Sequence, residues 1–307
     1  MYSHLSAMVA LAALGCLFSL RPLGAQPVTR SVNCDAGDSM ANALVSLRSG
    51  DTLVVSGTCN EGVTIPPDMV NVTFEGGGSA QVRAPGVAFQ VLGREITIKG
   101  FDITAARNGI NVLRGATAVI DGNTIHDTGG GTGAAGTGLG INVAQNSFAA
   151  MVNNTIRNNA NTGILVHEAS DARIGYTDII QAGRPNVIEG NGYGIRVSRN
   201  AIASVVGATI TANRMDGILV ERGSVAEIAN NTINSNQGNG ITVVDGSSVV
   251  FDLPGVTQPN QTDVDSPNQG FGISCTVGGS VSKLLGKLMG AKGAVEFASS
   301  CVDNITR

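Results

Sequence analysis

The chain repeats a short pattern of apolar and polar positions. Gly-Ile-x-Val, or a close variant, begins at Gly109, Gly140, Gly163, Gly194, Gly217, Gly240 and, as Gly-Ile-Ser-Cys, Gly272, at intervals of 31, 23, 31, 23, 23 and 32 residues. The base period is 23, with three coils lengthened by 8 or 9 residues. A second marker, Asn-x-Ile, falls 14 residues after the Gly at Asn123, Asn154 and Asn231, and Ala208 takes the same place after Gly194. Self-similarity at such a period is the signature of stacked repeats. Within Gly-Ile-x-Val the alternation has period two, so Ile and Val face one side and the residue between them the other, which predicts strands.

Stacking successive coils puts like residues above one another at the spacing of neighbouring strands, about 4.8 Å. The predicted inward columns are Ile110, Ile141, Ile164, Ile195, Ile218, Ile241 and Ile273, then Val112, Val143, Val166, Val197, Val220 and Val243, then Ile125, Ile156, Ile188, Ile210 and Ile233. Their β-branched shape suits closely stacked strands. Three strands per coil need tight corners. Gly115, Asn146, Asn200, Gly223 and Gly246 recur three residues after the Val, where a left-handed backbone is expected. Asn159, Asn191, Asn213 and Asn236 form a further column, whose amides could bond coil to coil.

Before the regular repeats, residues 63–65, 70–74, 89–91 and 96–103 read as strands of degenerate coils. Asp38 or Ser39 can cap a short helix with Met40, Leu44 and Leu47 on one face, ending at Gly50. Such a helix would cover the open end of the stack, which otherwise bares strand edges and core. Residues 281–289, interrupted by Gly286, are a candidate for the same role at the other end, as helix or strand. The expected organisation is a signal peptide over 1–25, an N-terminal cap with entry strands over 26–62, coils over 63–275 and a C-terminal cap over 276–307. The fold class is all-β, a parallel solenoid.

Gly-Ile-x-Val paired with Asn-Thr-Ile resembles the parallel β-helix repeat of the pectin-lyase-like superfamily. Asp51-Thr52-Leu53-Val54-Val55, followed by Gly57-Thr58-Cys59 and Val63-Thr64-Ile65, is similar to the entry segment of its secreted bacterial members. The likeness covers roughly residues 30 to 305 and implies a right-handed parallel β-helix. It is specific for fold and not for activity, since the fold hosts lyases, hydrolases, epimerases, esterases and non-enzymatic adhesins.

Composition narrows the compartment and the partners. Residues 8–20 are an apolar stretch followed by Arg21-Pro22 and the small-residue site Leu23-Gly24-Ala25, which predicts export with cleavage after Ala25. The segment before the apolar run carries only His4. Cys16 offers an alternative reading as a lipoprotein acceptor, but the residues before it fit that pattern poorly and the apolar run continues through Leu20. No later segment approaches the roughly 20 apolar residues of a membrane helix. Net charge is -4 without a basic run, which argues against nucleic acid and membrane-surface partners. Removal of the signal leaves Cys34, Cys59, Cys275 and Cys301, an even count that in an exported chain favours disulfides. Two of these cysteines lie near the entrance of the stack and two near its exit, so local pairing is expected. No C-x-x-C pair exists, and the three His residues complete no recognised zinc spacing with the cysteines, so no metal or cofactor is expected.

The chemistry is harder to find. Polygalacturonase-type relatives carry Asn-Thr-Asp, Asp-Asp, Gly-His-Gly and Arg-Ile-Lys; here only Asn123-Thr124-Ile125 and Arg173-Ile174-Gly175 come near, without the carboxylate or cation needed. The Asp-Pro-His-Asp of alginate epimerases is absent too, and the acids are scattered rather than gathered as for the calcium of pectate lyases. Residues 131–136 match the dinucleotide pattern G-x-G-x-x-G, but within a corner loop between strands instead of before a helix. His126-Asp127 could form a general-base pair, against the plainer expectation of corner neighbours pointing to opposite faces. One outward face carries Asn142, His167, Arg196, Arg199 and Glu221 over successive rungs, and these are the candidate saccharide-binding residues, with His167 the one candidate for catalysis. The plainer reading is a solvated face on which Arg196 and Glu221 form a surface ion pair. The expectation is therefore an exported β-helix protein that engages polysaccharide or another extended polymer. The alternatives are a carbohydrate-active lyase, epimerase or hydrolase of unusual chemistry, and a structural or adhesive envelope component.

Overall fold

The computed structural model describes residues 26–130, 136–177, 184–252, 256, 258–262, 266–284 and 286–306. The expected signal peptide, and all of the Gly-rich hexapeptide except Gly136, lie outside them. The described chain winds as a parallel β-helix of three faces, right-handed as the expectation had it. The first face is a ten-stranded sheet that carries the Gly-Ile-x-Val segments, from Val63–Ile65 through Leu139–Val143, Thr162–His167 and Tyr193–Ser198 to Gly293–Phe297. The second face holds strands such as Phe148–Val152 and Ile202–Val206, and the third the short Thr-Ile-x strands such as Thr155–Arg157. Two long strands, Thr73–Ala84 and Ile96–Ala105, run through the corner between second and third faces and join them in one sheet.

Registers follow the sequence columns: Ile141 pairs with Ile164, Ile164 with Ile195, Ile195 with Ile218, and Val143 with Val166. Those Ile and Val residues are fully buried, as are Ile125, Ile156, Ile188, Ile210 and Ile233 of the third face. Small side chains, Ala149, Ala172, Ala203 and Ala226, complete the section on the second face, where bulk from the other two already fills the core.

The corner after each Val is built of two consecutive left-handed residues. Gln145 and Asn146 have φ of 61° and 58°, Arg199 and Asn200 57° and 59°, Arg222 and Gly223 56° and 73°. A doubly left-handed corner turns the chain sharply and lifts the side chain of its first residue out over the first face.

The Asn column is a continuous buried ladder. Asn159 donates from its side-chain amide to Asn191 Oδ1 (2.9 Å), Asn191 to Asn213 Oδ1 (3.2 Å), Asn213 to Asn236 Oδ1 (2.9 Å) and Asn236 to Asn268 Oδ1 (2.8 Å). A second ladder runs through the Asn-x-Ile marker, from Asn123 to Asn154 to Asn186. It loses its amide at Ala208, whose N–H donates to Asn231 Oδ1, and resumes between Asn231 and Asn260. These amides bond buried corner backbone groups, such as the Asn159 N–H and the Ile156 carbonyl.

The ends differ from each other. Ser39 caps helix Met40–Leu44, and Glu61 holds its start by accepting from Ser39 Oγ (2.8 Å) and Met40 N (2.6 Å). Met40 is buried, and Ala43, Leu44 and Leu47 pack on the first coil. Strand Thr29–Asn33 already pairs with Thr52–Ser56, so stacking begins within the segment assigned to the cap. Residues 276–307, read as a cap, carry strands Ser280–Leu284, Gly293–Phe297 and Val302–Thr306 in register with the coils before them. No helix forms at 281–289 among the described residues, because Val281 continues the inward column of Val249. Disulfides join Cys34 to Cys59 and Cys275 to Cys301, each within one end of the stack. Among the described residues no helix is long and apolar enough to cross a membrane.

Candidate functional site

The Gly of each Gly-Ile-x-Val determines what the first face presents. A Cβ at Gly194 would stand 2.4 Å from the Gly217 carbonyl oxygen, 2.7 Å from Ile210 Cγ2 and 2.9 Å from the Asn213 amide. That position points into the core, as does Ile195 after it, so alternation breaks and the residue before the Gly faces outward. The first face therefore has an outward column beyond the two that simple period two reveals, and it contains Thr162, Tyr193, Asp216 and Asn239.

The five expected residues fall into two clusters. In one, His167 Nε2 lies 3.0 Å from Asn142 Oδ1 and its Nδ1 3.7 Å from Glu168 Oε1, while Arg199 Nη1 donates to Glu168 Oε1 (3.0 Å). In the other, Glu221 Oε1 accepts from Arg196 Nε (2.9 Å), Arg196 Nη2 (2.5 Å) and Ser198 Oγ (2.9 Å), with Arg222 Nε 3.8 Å away. The Arg196–Glu221 pair is thus no solvated surface pair, since Glu221 is only 8% exposed. The diagonal rise from one rung to the next and the tight corner at Arg222 fold the carboxylate under Arg196. Arg196 also lies over the Tyr193 ring, 5.7 Å from its centroid. Its guanidinium is held on both sides before any ligand arrives.

His167, Arg196, Ser198, Arg199 and Arg222 line a groove of about 380 Å³, with Leu139, Leu165, Asn161, Thr162 and Gly136 as the rest of its wall. Asn142 and Glu221 are buried behind that wall and orient the lining residues. Burial holds the His167 imidazole below its ordinary pKa, and the nearby Arg199 and Arg196 charges act in the same direction while Glu168 opposes them. His167 is therefore neutral at neutral pH. Burial raises the Tyr193 phenol, with Asp216 and Glu221 adding to the effect and Arg196 opposing it, so Tyr193 stays protonated. Burial also raises Asp216, against the hydrogen bonds it accepts from Asn239 N (2.7 Å) and Thr242.

Tyr193 and Asp216 were not among the expected site residues, and neither was Arg222 as a wall of the groove. The usable signal was the Gly itself, whose recurrence at a strand start marks two successive inward positions.

His126 departs from the expectation for a corner neighbour. Asp127 is left-handed (φ 51°) and folds back, so its Oδ2 lies 2.6 Å from His126 Nδ1, while Asp102 Oδ1 lies 3.2 Å from Nε2. Both ring nitrogens of His126 therefore face carboxylates. After Gly136 the chain enters strand Leu139–Val143, so the helix that a dinucleotide site requires does not follow it. Among the described residues no group of three or more His, Cys, Asp or Glu side chains is placed to hold a metal ion.

The A-module of the Azotobacter vinelandii mannuronan C-5 epimerase AlgE4 is similar to this chain with TM-score 0.46 and 14% identity, over 84% of this chain and 80% of that one. An alginate lyase from Paenibacillus matches with TM-score 0.44 and 16% identity over 90% and 99%. Pectate lyase Pel9A matches with TM-score 0.46 and 12% identity over 91% and 78%. No curated protein matches by sequence. At these identities the likeness is one of fold. The family described as right handed beta helix region matches residues 85–253, more than half of the chain, and the chain belongs to that family.

Proposed function

We propose that the protein is exported and that its first face binds an extended polysaccharide, seated in the groove beside Arg196 and running across successive rungs. The observation that carries this reading is the groove itself. Three arginines and a neutral imidazole line it, Leu139 and Leu165 supply an apolar wall, and Arg196 is fixed in advance by Glu221 and Tyr193. A pre-positioned guanidinium can grip a uronate carboxylate through two parallel hydrogen bonds and loses little freedom in doing so. A sheet of equally spaced strands lets an extended polymer lie across successive rungs. Two disulfides, together with the signal peptide read from the sequence, support export.

The test is a panel of acidic and neutral polysaccharides titrated against wild type and the Arg199→Ala, Arg222→Ala double variant, whose side chains are both exposed. Each lost charge-assisted contact is worth roughly 1.5 to 3 kcal/mol, so affinity for the acidic ligand should fall at least tenfold. Equal affinity of the two proteins for every polysaccharide would remove the groove from consideration.

A second reading is proton-transfer chemistry on the same polymer. It is favoured by one observation, that the face holds a neutral imidazole at His167 and a protonated phenol at Tyr193 on adjoining rungs, with Arg196 between. His167 would accept a proton and Tyr193 would donate one. His167→Ala should then abolish any turnover, followed by unsaturated-product absorbance and by reducing ends, while affinity stays within a few fold.

A further inference from the structure

The cations beside the groove are gathered on two rungs instead of being spread along the stack. The first residue of each left-handed corner forms a column of its own, in the order Arg114, Gln145, Glu168, Arg199, Arg222 and Asp245, with φ between 53° and 61°. Backbone bonds from corner to corner fix that order. Gly115 N donates to the Gln145 carbonyl (2.9 Å), Asn146 N to that of Glu168 (3.1 Å), Ala169 N to that of Arg199 (3.1 Å), Asn200 N to that of Arg222 (3.1 Å) and Gly223 N to that of Asp245 (3.0 Å). Successive members of the column therefore stand about 4.8 Å apart along the stack.

In this column two cations, Arg199 and Arg222, are consecutive, and a carboxylate flanks them on each side. Glu168, one rung before Arg199, accepts from its Nη1 (3.0 Å). Asp245, one rung after Arg222, is exposed and takes part in no ion pair or side-chain hydrogen bond among the described residues. The third cation of the groove, Arg196, is held by Glu221, which also lies 3.8 Å from Arg222 Nε. Three guanidiniums against the two carboxylates that touch them leave one positive charge in the groove, with the Asp245 carboxylate at its edge. The next cation of the column, Arg114, is three rungs from Arg199, and Gln145 and Glu168 lie between.

On the reading that this groove binds polysaccharide, we propose that its ligand is a heteropolysaccharide whose acidic units are separated by neutral ones, and not a polyuronate with a carboxylate on every unit. One acidic unit seats against Arg196, Arg199 and Arg222. On a chain that runs across the rungs, the units before and after it lie beside Glu168 and Asp245. A carboxylate on each of those units would meet a like charge about a rung away, which disfavours the complex and rejects the uniformly charged polymer. Neutral units bring hydroxyl groups there instead, and these donate to both protein carboxylates.

Calorimetric titration with three polysaccharides of matched length tests this: a polyuronate, a heteropolysaccharide with one uronate in each repeat of several sugars, and a neutral homopolymer. Low ionic strength keeps exposed charges least screened. Wild type should bind the heteropolysaccharide at least about threefold more tightly per site than the polyuronate, and the neutral polymer least tightly. Asp245→Asn removes the charge while keeping a residue that suits a left-handed corner. It should raise affinity for the polyuronate about two- to fivefold relative to the heteropolysaccharide, the scale of one exposed charge interaction. A polyuronate bound by wild type as tightly as the heteropolysaccharide, or a preference that Asp245→Asn leaves unmoved, would overturn the proposal while the binding reading stood. Binding of none of the three would overturn that reading and this proposal with it.

Discussion

Replacing Asn191 by Ala tests whether the buried amide ladder holds the coils together. Asn191 Oδ1 accepts from the Asn159 backbone N–H (3.0 Å) and from its side-chain amide (2.9 Å). Its own amide donates to the Ile156 carbonyl (3.0 Å) and to Asn213 Oδ1 (3.2 Å). Alanine removes all four bonds at a site with no solvent exposure. A buried group left unsatisfied costs about 1 to 3 kcal/mol. The Asn159 backbone N–H loses its acceptor outright and the Asn159 side-chain amide keeps only the Ile125 carbonyl (3.3 Å), whereas Asn213 Oδ1 still accepts from the Asn191 backbone N–H (3.0 Å). The expected loss is therefore about 4 kcal/mol, near the lower end of the sum over the groups affected. Equilibrium urea unfolding measures it, with Arg157→Ala as the control, since that side chain lies on the outward side of the neighbouring third-face strand and should change stability by under about 0.5 kcal/mol. An Asn191→Ala protein as stable as the control would refute the view that the ladder supplies indispensable partners, and the corner backbone would then have to be satisfied by water.

Three further outcomes follow from the packing. Ile195→Asp places a charge among fully buried aliphatic side chains and should abolish folded protein, as judged by solubility and circular dichroism. Asp216 has its carboxyl raised by burial, so the folded state keeps that proton to higher pH than the unfolded chain does; its contribution is present below the unfolded value and is lost as pH rises through the folded one. Asp216→Asn keeps an acceptor for the Asn239 N–H and should flatten that fall in an acid-to-neutral series of unfolding curves. Reducing Cys275–Cys301, which closes a separation of 26 residues, should cost roughly 3 kcal/mol on the chain-entropy model and loosen the last coil first, visible as faster amide exchange over Val302–Thr306.

The core was legible because the solenoid ties sequence period to spatial column. Every Ile and Val named from the 23-residue pattern is inward, and the left-handed residues at Gly115, Asn146, Asn200, Gly223 and Gly246 are where the corners need them. The far end was not legible, because residues 276–307 lack the Gly-Ile-x-Val signature. Gly293-Ala294-Val295-Glu296-Phe297 carries Phe where earlier coils have Val or Cys, so the motif is lost although the strand is kept. Pairing of the cysteines followed from position alone, because each bridge stays within its own end of the stack.

Outward residues obey no such rule, and that is why the site was only half visible. A ladder constrains what points inward, rung upon rung, and leaves the outer positions to whatever solvent or ligand demands. The informative outward residues are consequently those that break their column. Arg196 stands between Leu165 and Leu219 in one column, and Tyr193 stands between Thr162 and Asp216 in the next. A solvated decoration would have no reason to place an arginine between two leucines, fold a carboxylate beneath it at 8% exposure and set an aromatic ring against its face. Burying Glu221 carries a desolvation cost that the pair only offsets through its three hydrogen bonds, so the arrangement contributes little net stability. What it does provide is a guanidinium that cannot wander. Under the proposed function, a guanidinium fixed beside the groove at a cost to the fold is what the binding of an acidic polymer would use.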